Sequence, residues 1–211
     1  MKRNLFLQLI IFCFCIFNTP VQAAGIAEKE AKLWVEDKGS RLLEAFAEED
    51  MERKFNTLDE LFINYVDLDY ISRFVIGKYW REMTKEQQAQ YKKLFTRYAL
   101  GVYKSFPLSF KDRIGFDVSK VNIDGKYAEV TTKVSLNNVD MEPIDLTFFL
   151  DKKKDIKLVD IKLEKISLIL SYRTRFYQKI REVDEDMTWF LEDFETTVKS
   201  TETSNRLKLE N

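Results

Sequence analysis

The sequence of 211 residues carries a net charge of −1, contains two cysteines and has no histidine. Without histidine it cannot form a serine–histidine triad or a histidine-ligated metal site, and a near-neutral chain lacks the concentrated basic face that nucleic-acid binding requires. Aromatic residues make up 14% of the chain, so large apolar surface is abundant where the usual catalytic groups are missing.

The first 23 residues predict a secretory signal peptide. A basic head is followed by an apolar run over residues 5–17, and a cleavage site at residues 21–23 ends in alanine. The apolar run is too short to cross a bilayer. Both cysteines, Cys13 and Cys15, lie in this segment, so the mature chain has no thiol nucleophile.

The remaining chain shows no internal repeat and no low-complexity linker. It predicts one domain over residues 24–199, large enough for a sizeable core, and a flexible polar tail over residues 200–211. An exported chain without cysteine favours the bacterial periplasm as its location.

Four signals predict the first helices. Residues 28–47 carry apolar side chains on one side, as in an amphipathic helix. Residues 57–60 read Thr-Leu-Asp-Glu, a capping box that predicts the start of a second helix. Asp67 is suited to cap a third helix, and Gly77 is expected to end it in the left-handed conformation.

A second capping box, formed by Thr84 and Gln87, predicts the start of the longest helix, which ends before Pro107. Large apolar residues recur along this helix at spacings of three or four. A stripe of that kind has to face an apolar surface. Its members are Tyr91, Phe95, Tyr98, Val102 and Phe106.

The period then changes to two, which predicts a sheet. Apolar and polar residues alternate over residues 127–136 after an Asp124-Gly125 turn, and again over residues 144–150. Residues 156–163 supply another strand after a solvated lysine turn at 152–154. Helical spacing returns after this strand. The sequence therefore predicts an α+β fold, a four-stranded antiparallel curved sheet packed with about six to seven helices on its apolar face. The pattern leaves open whether these layers close completely or surround an apolar cavity.

Two stretches of the chain resemble the MlaC or toluene-tolerance family of periplasmic phospholipid carriers, whose fold is similar to that of NTF2-like proteins. The first stretch reads VDLDYISRFVIGKYW, followed by TKEQQAQYKKLF and VYKSF. The residues that match it are Asp67, Arg73, Gly77, Trp80, Thr84, Gln87, Phe95 and Tyr103. The second stretch reads VDIKLEKISLILSYRTRF. The residues that match it are Ser167, Tyr172, Arg173 and Phe176.

The resemblance implies a soluble shuttle that carries phospholipid between an outer-membrane lipoprotein complex and an inner-membrane ABC transporter with its MCE-type ring protein. Such a carrier maintains the lipid asymmetry of the outer membrane and needs no cofactor or metal. It also implies a cavity wall of apolar side chains, with Arg173 as a candidate headgroup contact. The predicted wall comprises Phe74, Val75, Tyr98, Val102, Tyr103, Phe106, Val130, Val134, Leu146, Phe148, Val159, Ile161, Ile169, Tyr172 and Phe176.

Other interpretations remain open at this point. The aromatic stripe is equally typical of an ordinary core, and Arg73 and Trp80 could simply brace two helices. The cargo could be a hopanoid or another isoprenoid lipid, and an exported adaptor domain could act only through protein surfaces. Carboxylate catalysis is disfavoured because Asp67 is better explained as a helix cap, so we do not expect an enzyme.

Overall fold

The computed structural model describes residues 25–105, 114–136 and 144–210, and the predicted signal peptide lies outside them. The helices are α1 (Glu28–Ala47), α2 (Met51–Tyr65), α3 (Leu68–Ile76), α4 (Lys85–Ser105), α5 (Leu168–Glu182) and α6 (Met187–Glu210), with a 3₁₀ turn over Gly77–Arg81. The strands are β1 (Ile114–Asp124), β2 (Tyr127–Leu136), β3 (Ile144–Lys152), β4 (Ile156–Leu163) and β5 (Ile166–Ser167). None of the helices in these ranges is long and apolar enough to cross a membrane.

The strands form one antiparallel sheet in the order β1-β2-β3-β4-β5, which confirms the predicted α+β class. The sheet has five strands instead of four. A two-residue turn at Glu164 and Lys165 folds Ile166 back onto Leu163, which adds the short edge strand β5. Glu164 adopts a positive φ of 55° there, a conformation that the period of the sequence does not signal.

Helix starts follow the predicted caps at two of three places. The Asp67 side chain accepts a hydrogen bond from the backbone N of Tyr70 at 2.9 Å, and Thr84 and Gln87 bond reciprocally at 3.0 and 3.2 Å. The predicted start at Thr57 is wrong, because α2 begins at Met51. Its cap is the carboxylate of the preceding residue, Asp50, which accepts from the backbone N of Arg53 at 2.8 Å.

The last helix is longer than the sequence predicted. A flexible tail was expected over residues 200–211, but α6 continues to Glu210. Its final turns pack along α4, where the buried Asn205 donates from Nδ2 to the carbonyl oxygen of Gly101 at 2.8 Å. Residues 200–210 are therefore helical, and a tertiary contact holds a segment that is polar in sequence.

Within the described ranges, most of the buried apolar side chains form three separate clusters, although a domain of this size commonly has one continuous core. The sheet core lies between α1 and the sheet and contains Ile26, Ala31, Val35, Ala128, Val130, Phe148, Leu150 and Ile156. The bridge core joins α1, α2 and α4 and contains Ala45, Phe46, Leu58, Leu61 and Tyr103. The helical core contains Val75, Ile76, Tyr79, Met83, Tyr91, Leu94, Phe95, Phe176, Ile180, Met187, Phe190, Leu191, Phe194 and Val198.

Gly77 lies where α3 meets α5. Its φ of 54° is positive, as predicted, but its ψ of −120° lies outside the left-handed helical region, in a conformation open almost only to glycine. A Cβ at this position would lie 2.1 Å from the Tyr177 hydroxyl oxygen and 2.8 Å from Nη2 of Arg173. The same hydroxyl accepts hydrogen bonds from the backbone N of Lys78 at 3.1 Å and from Arg173 at 3.0 Å.

We therefore expect Gly77→Ala to lower the free energy of unfolding by about 3 kcal/mol, because backbone strain and a steric clash act together. Gly125→Ala is the matched control. Gly125 also has a positive φ, 58°, but no atom of the described residues lies within 4 Å of its Cβ position, so only the strain of about 1 kcal/mol remains. Urea unfolding of both variants measures the difference, and equal losses would contradict the clash.

Candidate functional site

Helix α1 covers part of the sheet face that we call the inner face. Ala31 and Val35 of α1 share the sheet core with Ala128, Val130 and Phe148. Val130 has no exposed surface and Phe148 is 3% exposed. Both residues were predicted as cavity wall, and the structure places both in tightly packed contact under α1.

Helix α1 does not follow the sheet to its end. At Gly39 a Cβ would lie 2.3 Å from Cζ of Phe116, so α1 and β1 touch at this point. The next turns of α1 pack into the bridge core through Ala45 and Phe46. Val134 pairs with Phe116 across the strands, and its side chain is only half-buried.

Large apolar side chains at the edges of the three cores remain partly exposed. We call this set the apolar lining. On the sheet it consists of Val134, Leu146 and Ile161, and on α4 and α5 it consists of Tyr98, Val102 and Tyr172. Side chains of these types are usually buried completely when they lie inside a closed core, so their partial exposure indicates that the sheet core and the helical core do not merge.

The two tyrosines of the apolar lining hold α4 against α5. The rings of Tyr98 and Tyr172 have centroids 6.1 Å apart and meet edge to face at 87°, the arrangement that aromatic pairs favour. Burial raises the pKa of both hydroxyls, so both phenols stay neutral at physiological pH. The surface they offer is therefore apolar apart from two uncharged hydroxyl groups.

The residues predicted as cavity wall fall into distinct groups. Val75 and Phe176 lie in the helical core, Tyr103 in the bridge core, and Val130 and Phe148 in the sheet core. Phe106 lies outside the described residues. The half-buried members are Phe74, Tyr98, Val102, Val134, Leu146, Ile161, Ile169 and Tyr172. The structure therefore divides the predicted set between the three cores, their half-buried edges and the cavity that contains Val159 and Ile169.

Val159 and Ile169 lie at a different place, a cavity of about 360 Å³ that opens beside α3 and α5. A bulge in β4 places Val159 there. Phe149 pairs with Asp160 and Leu150 pairs with Leu158, so Val159 is the additional residue. Strict alternation had placed Val159 on the same face as Ile161, and the sequence carries no glycine that would have signalled the bulge.

Arg173, the candidate headgroup contact, takes part in the joint between α3 and α5. Its Cζ lies 5.1 Å from the ring centroids of both Phe74 and Tyr177, and Nη2 donates to the Tyr177 hydroxyl at 3.0 Å. These contacts and the adjacent Gly77 connect the two sequence stretches that resemble the MlaC family. A contact between Arg173 and a lipid headgroup stays a prediction.

Tyr103 connects α4 to α2. Its hydroxyl donates to Oδ1 of Asp59 at 2.7 Å, Lys104 donates to Oδ2 at 2.6 Å, and the ring stacks on Phe62 with centroids 3.7 Å apart. Burial, together with the Asp59 carboxylate, raises the pKa of Tyr103 well above its ordinary value. Sequence analysis missed Asp59, which it had assigned to a capping box.

The lysine turn between β3 and β4 was predicted to be merely solvated, but it anchors two helices. Lys152 binds Glu30 of α1 at 2.8 Å, and Lys153 binds Oδ2 of Asp67 at 2.7 Å. The backbone N of Asp67 also donates to the carbonyl oxygen of Leu158 at 2.9 Å. The start of α3 is thereby fixed to β4 by its backbone and by its capping side chain.

Three comparisons with known proteins complete these observations. The sequence model of the family described as MlaC protein matches residues 39–192. A search of the curated proteins finds no match. The fold is similar to that of a phospholipid-binding protein from Ralstonia solanacearum, solved in complex with a phospholipid, with a TM-score of 0.62 over 80% of this chain and 98% of that chain. The two sequences are 18% identical, so this likeness concerns the fold alone.

The Asp67 cap makes a prediction about pH. Burial by itself would raise the pKa of Asp67, but the hydrogen bonds from Lys153 and the backbone N of Tyr70 outweigh burial and lower it. A lowered folded-state pKa stabilises the fold above the unfolded value of about 3.9, and this contribution is lost as the pH falls through the folded-state pKa. We therefore expect Asp67→Asn to be less stable than wild type near neutral pH, with the gap narrowing below about pH 4.

Urea unfolding at a series of pH values measures this gap. Asp155 is exposed in the turn between β3 and β4 that also carries Lys153. Asp155→Asn is therefore the control for the loss of one negative charge. A gap for Asp67→Asn that stays constant down to acid pH would show that the carboxylate charge is not what stabilises the helix start.

Proposed function

The chain belongs to the MlaC family, and from that membership and the geometry we propose that it is a periplasmic carrier that encloses the acyl chains of a phospholipid. The observation that carries the proposal is the division of the interior into separate cores with the half-buried apolar lining at their edges. The Ralstonia solanacearum protein of similar fold, which was solved with a bound phospholipid, supports the choice of cargo.

The energetics of lipid transfer require an enclosed site. Each methylene contributes about 0.8 kcal/mol when it is removed from water, so two acyl chains with about thirty methylenes would cost about 25 kcal/mol to expose. A protein that carries such a lipid through water therefore has to cover both tails. The headgroup can remain in water, which agrees with the lack of a dedicated charged constellation in the apolar lining.

Transfer itself exchanges one apolar environment for another. The net free energy of moving a tail from a bilayer into the protein is consequently small, although each opposing contribution is large. Affinity is then determined by how far the site is formed in advance and how strongly it orders the chains. Val134, Leu146, Tyr98 and Tyr172 suit this requirement because they are held half-buried on strands and helices of the fold.

Within this proposal the chain delivers lipid between an outer-membrane lipoprotein complex and an inner-membrane ABC transporter with an MCE-type ring protein, and so maintains the asymmetry of the outer membrane. The carrier performs no chemical step on its cargo. Phe106 and Arg173 keep their predicted roles as wall and headgroup contact. Val130 and Phe148, in contrast, support the wall from within the sheet core.

Organic extraction of the purified protein, followed by lipid mass spectrometry, tests the identity of the cargo. We expect phospholipid at about one molecule per protein. If a hopanoid or another isoprenoid lipid is extracted instead, that lipid is the cargo and the assignment to phospholipid is wrong. Protein that is free of lipid and takes none from phospholipid vesicles would contradict the carrier function and favour an adaptor domain.

A matched pair of variants tests the location of the site. Val134 and Val130 lie on the same face of β2, but Val134 is half-buried and Val130 has no exposed surface. We expect Val134→Glu to fold and to take up at least tenfold less lipid, because its carboxylate hydrates inside the apolar lining. Val130→Glu should instead lower the free energy of unfolding by more than about 3 kcal/mol, because it buries an unpaired charge.

Circular dichroism establishes which variant is folded, and transfer of fluorescent phospholipid from vesicles measures uptake. Full uptake by a folded Val134→Glu variant would place the acyl chains elsewhere. Unfolding of both variants would show that Val134 belongs to a closed core.

A further inference from the structure

The cavity beside α3 and α5 is lined mainly by residues on the face of the sheet opposite α1, which we call the outer face, and Ala128 and Leu150 of the sheet core also border it. Side chains alternate between the faces of a strand, so Tyr127, Glu129 and Phe149 lie opposite the sheet-core residues Ala128 and Phe148. Tyr70 of α3 and Ile169 of α5 complete the cavity, whose volume is about 360 Å³. That volume is within the range of small-molecule sites in proteins. We call it the outer cleft.

The charged residues that line the outer cleft are acidic. Among the described residues, they are Asp124, Glu129 and Asp160. Two ammonium groups, those of Lys126 and Lys162, lie against two of its rings. Asp160 is oriented by neutral donors, since Oδ2 accepts from the Ser167 hydroxyl at 2.6 Å and Oδ1 accepts from the backbone N of Ile169 at 3.1 Å. These hydrogen bonds fix the carboxylate in place without neutralising it, so the cleft favours a positively charged occupant.

The carboxylates of the outer cleft surround an aromatic surface and do not converge on a point. In the described parts of the chain, no group of three carboxylate, histidine or cysteine residues is arranged to hold a metal ion. The space between the acidic side chains is bounded by the rings of Tyr70, Tyr127 and Phe149. An occupant therefore needs an extended apolar body as well as a positive charge.

Two of these rings already hold ammonium groups from the protein. Nζ of Lys126 lies 4.5 Å from the centroid of the Tyr127 ring, and Nζ of Lys162 lies 4.3 Å from the centroid of the Phe149 ring. Both distances are within the range of cation–π contacts. Burial is the main reason that the pKa of Tyr70 is raised, and its neighbours Tyr127, Asp151 and Asp160 contribute in the same direction.

We propose that the outer cleft binds an organic cation, an ammonium or trimethylammonium group carried on a small apolar body. The rings of Tyr70 and Tyr127 contact the cationic group, Glu129 and Asp124 balance its charge, and Val159 and Ile169 contact the apolar body. The cation can be a free amine or the headgroup of a lipid at a membrane surface, since both present the same group. The acidic and aromatic side chains of the outer cleft lie on the opposite face of the sheet from Val134 and Leu146, so the contacts to the cation do not use the residues of the proposed lipid site.

Titration of the ¹⁵N-labelled mature protein with choline chloride tests the proposal, with sodium chloride at equal ionic strength as the reference. We expect saturable shifts of the backbone amides in strands β1 to β4 around Asn122, Glu129 and Phe149. Glu129→Gln and Tyr127→Leu should each weaken choline binding about tenfold. Tyr127→Phe should retain binding, because it keeps the ring and removes only the hydroxyl.

The control variant is Glu192→Gln, which removes one carboxylate charge from an exposed position on α6. It should bind choline as the wild type does. If Glu192→Gln weakened choline binding as much as Glu129→Gln does, the effect would come from the net charge of the protein. This result would overturn the proposed site. Absence of any saturable shift with choline, combined with absence of the vesicle effect described next, would overturn it as well.

Vesicles distinguish the two sources of the cation. Recruitment of the protein to phosphatidylcholine vesicles that exceeds recruitment to phosphatidylglycerol vesicles, and that Glu129→Gln abolishes, identifies a headgroup. Binding of free choline without such recruitment identifies a soluble amine. Phospholipid uptake by Glu129→Gln is measured in parallel and should equal that of the wild type, so a failure of the carrier function is distinguishable from a failure of the outer cleft.

Discussion

Helix α1 is shared between two cores, and this sharing determines how much of the sheet it covers. Helix α1 has 20 residues and is about 30 Å long. Its first half packs in the sheet core and its second half packs in the bridge core. The contact between Gly39 and Phe116 marks the crossing from one to the other. Had α1 continued along the sheet, Val134 and Leu146 would be buried and the interior would close.

Helices α3 and α5 are both attached to the sheet through strand β4. At the start of α3, the backbone N of Asp67 donates to the carbonyl oxygen of Leu158 in β4. At the start of α5, the Asp160 carboxylate of β4 accepts hydrogen bonds from Ser167 and from the backbone N of Ile169. Residues of the two family-like stretches, Asp67 and Ser167, therefore have a structural role at these points. They fix the position of the helices relative to the sheet, and the apolar lining follows from that placement.

The elements that the sequence predicts well are those specified by short-range interactions. The Asp67 cap, the Thr84 and Gln87 box and the alternation of β2 each depend on residues a few positions apart. The bulge at Val159 and the ordered end of α6 depend on partners far along the chain, which hydrophobic periodicity does not report. The same limit applies to the site. Periodicity identified Val130 and Val134 as inward-facing, but only the path of α1 separates the buried residue from the half-buried one.

The pairing of α4 with α6 has a consequence for the order of folding. The carbonyl oxygen of Gly101 is satisfied by Asn205, and the Lys208 ammonium lies 3.5 Å from the carbonyl oxygens of Lys104 and Ser105. The end of α4 therefore lacks these partners until residues 205–208 have been synthesised, about one hundred positions later. Domains that acquire their contacts in N-terminal order can fold during synthesis, whereas α4 completes its contacts with α6 only after residues 205–208 have left the ribosome.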